Sequence, residues 1–262
     1  THLLMDAALL EDALTERTAA VMPVHLYGQF APMTPILEIA ARHGLKVIAD
    51  AAQAQGATGA GLGIAAGVVA AGTSFYPGKN LGAAGDAGAV VTDDESIADL
   101  VRSISHHGAG ADRYHHVRFG CTSRLDTIHA VVLRAKLARL EKWNELRRHA
   151  AGVYLELLAD VEGVTTPVAA SGNVHVWHLF VVRVDDRDTV LRALQDAGIG
   201  AGIHYPIPLH RQPVFAGTPA ANGNFPVATD AAERILSLPL FPGITEAQQE
   251  RVVRILAEAV HP

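Results

Sequence analysis

The chain holds four lysines, Lys46, Lys79, Lys136 and Lys142. Only Lys79 sits in a Gly/Pro turn, Ser74-Phe-Tyr-Pro-Gly-Lys-Asn80, directly after an apolar run. In an apolar pocket a lysine amine loses part of its affinity for a proton and becomes a nucleophile. In an open turn it is a solvated charge. Asp50 closes another apolar run, Leu45–Ala49. A carboxylate at a strand's end either caps the following segment or faces a cation in the crevice that strand ends line. Taken as a pair, the two residues match the needs of pyridoxal phosphate, which takes a lysine for a Schiff base and an acid at its pyridine nitrogen. Ser74, just upstream of the lysine, offers a hydroxyl to a phosphate.

Alternating elements supply the positions. Residues 19–24 read as a buried strand, 32–43 as a helix closed by Gly44, and Leu45 to Ala49 as a second strand ending on Asp50. Val68 to Phe75 and Ala87 to Thr92 read as two more strands. Asp93, Asp94 and Glu95 then open a helix with the acidic first turn that the helix dipole favours. This alternation predicts an α/β fold with a mostly parallel sheet. From Arg124 onward, Leu125, Ile128, Val132, Leu137, Leu140, Trp143 and Leu146 predict one long amphipathic helix, broken near Trp143–Asn144. Beyond it, residues 175–184 read as a strand, 189–197 as a helix, 203–208 as irregular, and 228–236 and 247–260 as helices. The boundary is placed inside the long helix, giving a partial large domain over 1–140 and a smaller α+β domain over 141–262.

Seven ordered stretches, Pro23–Gln29, Asp50–Gln53, Ser74–Gly82, Gly85–Thr92, Ser123–Asp126, His204–His210 and Ser237–Leu240, resemble the DegT/DnrJ/EryC1/StrS aminotransferases. These are fold-type-I pyridoxal phosphate enzymes that aminate nucleotide-linked keto sugars, and the resemblance spans essentially the whole chain. It implies that Lys79 is the Schiff-base lysine, that Asp50 pairs with the pyridinium nitrogen, that Gln53 approaches the phenolic oxygen and that Ser74 holds the phosphate. It puts His204, Tyr205 and Arg124 near the substrate. It also implies an amino-acid donor such as L-glutamate and a homodimer with composite active sites. Relatives that dehydrate sugars carry histidine in place of the lysine, so Lys79 favours amino transfer. The wording around Lys79 and His204 is most similar to enzymes that aminate C3 of a TDP-linked 6-deoxy sugar in antibiotic biosynthesis.

Two departures stand out. The family's asparagine two residues before the arginine, which reaches the partner subunit's phosphate, is Thr122 here, with one donor in place of two. The family also carries a segment ahead of the point where this chain starts. That segment supplies a helix N-terminus for the phosphate and an aromatic residue over the ring, so the chain reads either as a fragment or as a truncated relative. An inactive or regulatory relative is the alternative reading, against which Lys79 and Asp50 together argue.

Other classes fit less well. Of 262 residues, 49% are hydrophobic and 18% charged, which excludes a disordered chain. The net charge of −6 leaves no basic block for nucleic acid. The longest apolar run, Ile64–Ala71, is too short for a membrane span. A single cysteine, Cys121, excludes a disulfide framework and points to the cytosol. The Gly61-x-Gly63-x-x-Ala66 run neither directly follows a strand nor opens a helix, as a dinucleotide fingerprint must. Tyr76 and Lys79 are one residue too close for the Tyr-x-x-x-Lys of short-chain dehydrogenases. The His106–His107 and His115–His116 pairs project in different directions and make no metal motif, so no metal is expected.

Overall fold

The computed structural model describes residues 2–261, which fall into two compact units. The first comprises Leu4–Asn144 and Ala170–His178; the second is built mainly from residues 145–169 and 179–261. The division lies inside a helix, at Asn144–Glu145.

In the first unit, β1 (Ala20–Val21), β2 (Lys46–Asp50), β4 (Ala70–Ser74) and β5 (Gly88–Val91) form one sheet in the order β1-β2-β4-β5. The first two pairings are parallel, with Val21 opposite Val47 and Asp50 opposite Gly72. β5 runs antiparallel, with Gly88 opposite Ser74. Helix α1 (Met33–Arg42) links β1 to β2 and buries Met33, Ile36, Ile39 and Ala40 against Val21, Phe30 and Val47. Its spacing of apolar residues at three and four makes this one face of a helix. A short β3 (Thr58–Gly59) pairs antiparallel with β6 (Asn173–Val174). Helix α2 (Glu95–Ser105) begins where the acidic cluster predicted, with Asp94 Oδ1 accepting the Ser96 and Ile97 amides.

The second unit pairs β7 (Phe180–Arg183) with β8 (Ile235–Leu238) antiparallel. Around them pack α5 (Arg187–Asp196), α6 (Pro226–Arg234) and α7 (Glu246–Val260). Tyr154, Phe180, Leu194, Leu236 and Leu256 are fully buried there. Thr245 and Gln248 form a capping box at the start of α7. Among the described residues, no helix is long and apolar enough to cross a membrane.

Three expectations are corrected. The long helix is two, α3 (Thr127–Leu137) and α4 (Leu140–Leu157), and the break falls at Ala138–Arg139 rather than Trp143–Asn144. The bend lets Leu133 of α3 and Leu140 of α4 both bury against Leu81 and Ala83. The expected helix over 228–236 stops at Arg234, and Ile235 and Leu236 belong to a fully buried strand. A short apolar run in contact on both faces has no periodicity that separates strand from helix end. The expected strand over 175–184 is extended only from Phe180, because Trp177 adopts φ 45° and the Val176 amide is bonded to the Gly28 carbonyl.

Candidate active site

Asp50 ends β2 and Ser74 ends β4, so the carboxyl edge of two neighbouring parallel strands carries both side chains. Crevices that bind ligands in open α/β sheets form along this edge. The Asp50 backbone is held on the far side by residues following β1: its N–H donates to the Pro23 carbonyl and its carbonyl accepts the His25 N–H, both at 2.9 Å. Its carboxylate Oδ1 accepts the Ala52 N–H at 3.0 Å. The carboxylate therefore caps a turn, not a helix, and one side of it is engaged locally.

Lys79 follows β4 in a tight turn. Its N–H donates to the Tyr76 carbonyl at 2.9 Å, and the Ala83 N–H returns to the Phe75 carbonyl at 2.7 Å. The side chain is half-buried, and this loss of hydration holds the amine below the usual lysine range. The Asp50 carboxylate lies close enough to act in the opposite direction. The amine thus feels the charge of a carboxylate from a different segment at one end of the sheet.

Ser74 Oγ accepts the Tyr76 N–H at 3.2 Å, which leaves its own O–H to donate. Gln53 is buried, and its Oε1 accepts the Tyr27 N–H at 2.6 Å. His25 is 1% exposed and stacks on Phe30 with ring centroids 4.1 Å apart. Its Nδ1 accepts the Ala31 N–H at 3.2 Å, so the ring proton resides on Nε2. Desolvation lowers its pKa to about 4, against a weaker opposing pull from Asp50.

Asp50, Gln53, Ser74 and Lys79 thus belong to one unit and lie at or beyond the ends of β2 and β4. Thr122 and Arg124 belong to the same unit but are exposed; the Thr122 hydroxyl lies 3.3 Å from His107 Nδ1. His204 and Tyr205 belong to the other unit, where His204 Nδ1 lies 2.8 Å from Ser237 Oγ. An open hollow of about 740 Å³ beside α2, lined by Ser96, Asp99, Arg102 and His106, does not include the Asp50 and Lys79 neighbourhood.

Sequence reasoning assigned no role to Gln55, Asn80 or Asn144. All three are buried and joined by hydrogen bonds around the Lys79 turn. Asn80 stands next to Lys79 in the motif, but nothing in the spacing of 55, 80 and 144 signals that they meet.

The family model for the DegT/DnrJ/EryC1/StrS aminotransferase family matches residues 1–257. A dTDP-3-amino-3,4,6-trideoxy-alpha-D-glucose transaminase from Streptomyces venezuelae is 44% identical over 257 residues, covering 98% of this chain and 68% of the relative. A protein named pleiotropic regulatory protein from Geobacillus stearothermophilus is 46% identical over 256 residues, 97% of this chain and 68% of its own length. Among solved structures, S. venezuelae DesV in complex with ketimine intermediate superposes with a TM-score of 0.94 at 44% identity, over 100% of this chain and 70% of DesV. With the whole length of the chain matched at this identity, it belongs to the DegT/DnrJ/EryC1/StrS aminotransferase family.

Proposed function

We propose that the protein transfers an amino group from an amino acid such as L-glutamate to a nucleotide-linked keto sugar, with pyridoxal phosphate as cofactor. The observation that carries this is the half-buried Lys79 amine, held below its ordinary pKa beside the Asp50 carboxylate. A relative from Bacillus subtilis, solved with bound cofactor pmp, is 31% identical with a TM-score of 0.88. The transaminase from S. venezuelae supports a TDP-3-keto-6-deoxyhexose as the substrate class.

The donor set fits the cofactor. Lys79 supplies an amine that loses its proton more readily than a free lysine, Asp50 a carboxylate for a pyridinium, and Ser74 an O–H for a phosphate. When bound, pyridoxal phosphate supplies an electron sink that lets a proton leave carbon. Lys79 would take the proton from the donor's α-carbon and pass it to the cofactor, and in the second half-reaction would carry a proton from the cofactor to the sugar carbon that receives nitrogen. Asp50 keeps the ring nitrogen protonated by charge. Gln53, whose Oε1 accepts the Tyr27 N–H, would help hold the cofactor ring. Arg124 serves the substrate, and Thr122 serves the phosphate of a partner subunit in a homodimer. Exposed Val117, Phe119, Ile128 and Val131 support such a dimer. The cysteine content, with Cys121 free and exposed, supports a cytosolic location.

The test is incubation with pyridoxal phosphate, L-glutamate and a TDP-3-keto-6-deoxyhexose. Formation of 2-oxoglutarate matched by amino sugar is expected. Absence of product from a panel of TDP- and UDP-linked keto sugars, with cofactor bound, would overturn it. The regulatory reading is kept by the name of the Geobacillus relative; it requires cofactor binding or regulation without turnover in the same assay.

A further inference from the structure

We infer that Asn80 is a positioning residue that, through Asn144 and Gln55, sets the placement of the Lys79 amine relative to the Asp50 carboxylate. This rests on the reading of those two groups as the reacting amine and its acid. Asn80 is 6% exposed, and both ends of its amide are engaged. Nδ2 donates to Asn144 Oδ1 and to the Val176 carbonyl, each at 2.9 Å, and Oδ1 accepts from His178 Nδ1 at 3.2 Å. Consecutive Cα atoms are about 3.8 Å apart, so fixing residue 80 fixes the root of the Lys79 side chain.

The other end of the connection is as firmly tied. Asn144 is fully buried, and its Nδ2 donates to the Gln55 carbonyl at 2.9 Å. Gln55 Nε2, with two N–H groups, then lies within hydrogen-bond distance of three acceptors, Ala52 O at 3.0 Å, Thr73 Oγ1 at 3.0 Å and Ser74 O at 2.7 Å, while its Oε1 is buried with no partner among the described residues. Ala52 in turn donates its N–H to Asp50 Oδ1. A path of buried or part-buried hydrogen bonds, joined through the covalent frames of Gln55 and Ala52, therefore runs from the residue after the amine to the acid, and on to the serine. Gly56 shows how closely Asn144 approaches: with φ +86°, a Cβ there would stand 2.6 Å from Asn144 Nδ2. Hydrogen bonds in this low-dielectric surrounding are stronger than in water, so each link holds its neighbours to one geometry. Holding the turn in place also keeps the Lys79 amine half-buried, which is what depresses its proton affinity.

The experiment measures how readily Lys79 reacts with pyridoxal phosphate as pH rises. Cofactor is trapped on the lysine by borohydride and the labelled peptide is quantified, with no sugar present. In the intact protein the half-reaction point should lie below the ordinary lysine range. In Asn80→Ala it should move up by about one pH unit, a tenfold loss of neutral amine at pH 7. Tyr154→Phe, which removes a hydroxyl bonded to the Pro239 carbonyl in the other unit, serves as a control for lost stability and should leave the profile in place. Should Asn80→Ala fail to fold, Asn144→Ala cuts the next link and carries the same expectation. A variant profile coincident with the parent's, in folded protein, would overturn the inference while leaving the proposed function intact. Labelling that survives Lys79→Ala at the same stoichiometry would instead remove the reading of Lys79 on which it rests.

Discussion

The Asp50 carboxylate acts on the Lys79 amine before any ligand arrives, and this sets what their substitutions should do. Burial lowers the amine's pKa and the carboxylate raises it. Lys79→Ala should abolish amination, measured as 2-oxoglutarate release; turnover within tenfold of the parent, with no amine added, would refute its role. Asp50→Asn is more informative because it has two effects of different sign. Removing the negative charge removes the influence that raises the Lys79 pKa, so trapping of cofactor on Lys79 should shift to lower pH. Turnover should nevertheless fall by about a hundredfold or more, because a charge stabilising the transition state is gone. A near-normal kcat would leave Asp50 with only its bond to the Ala52 N–H, as a turn cap.

At the scale of elements, the turn between β4 and β5 is the part most exposed to a small change. A Cβ on Gly82 would meet the Pro77 carbonyl oxygen at 2.3 Å, a backbone atom that cannot step aside without opening the turn. Gly82→Ala should cost about 1–3 kcal/mol, as overpacking does. It should also lower cofactor affinity, measured by equilibrium dialysis; unchanged melting temperature and affinity together would show the turn to be pliant. Much of this architecture was legible in the sequence. The 32–43 and 247–260 helices announced themselves by apolar period, and the start of α2 by its acidic cluster. The Lys79 turn was marked by Pro77 and Gly78. The break between α3 and α4 was not legible, because it follows from Leu133 and Leu140 sharing a core with Leu81 and Ala83. Asn144 looked like a helix breaker and is instead a buried connector inside α4, a role that only contacts 64 and 89 residues away create.

Over the whole molecule, acid should act first on the unit that carries the site. Its two buried histidines, His25 and His175, are held neutral by desolvation, with pKa values lowered to about 4 and about 3. In the unfolded chain both titrate near 6.5. Between about pH 6.5 and 4 the unfolded state therefore binds more protons than the folded one, and stability falls as pH falls. It is fully present above the unfolded pKa. For His25 the loss by pH 4 is on the order of 3 kcal/mol, and His175 adds a comparable amount, against the 5–15 kcal/mol typical of a domain. Glu11, Asp94 and Asp112 have lowered carboxylate pKa values and contribute only at lower pH. Both tryptophans, Trp143 and Trp177, lie in this unit, and Trp177 stacks on His175 with ring centroids 3.8 Å apart. Far-ultraviolet circular dichroism, by contrast, also reports α5, α6 and α7 of the other unit. The expected outcome is a tryptophan fluorescence transition between pH 6 and 4 that precedes the loss of helical signal. His25→Gln, with an amide oxygen to take the Ala31 N–H, should move that transition toward lower pH. Coincident transitions in the parent, or an unmoved midpoint in the variant, would show that the buried histidines do not govern acid stability.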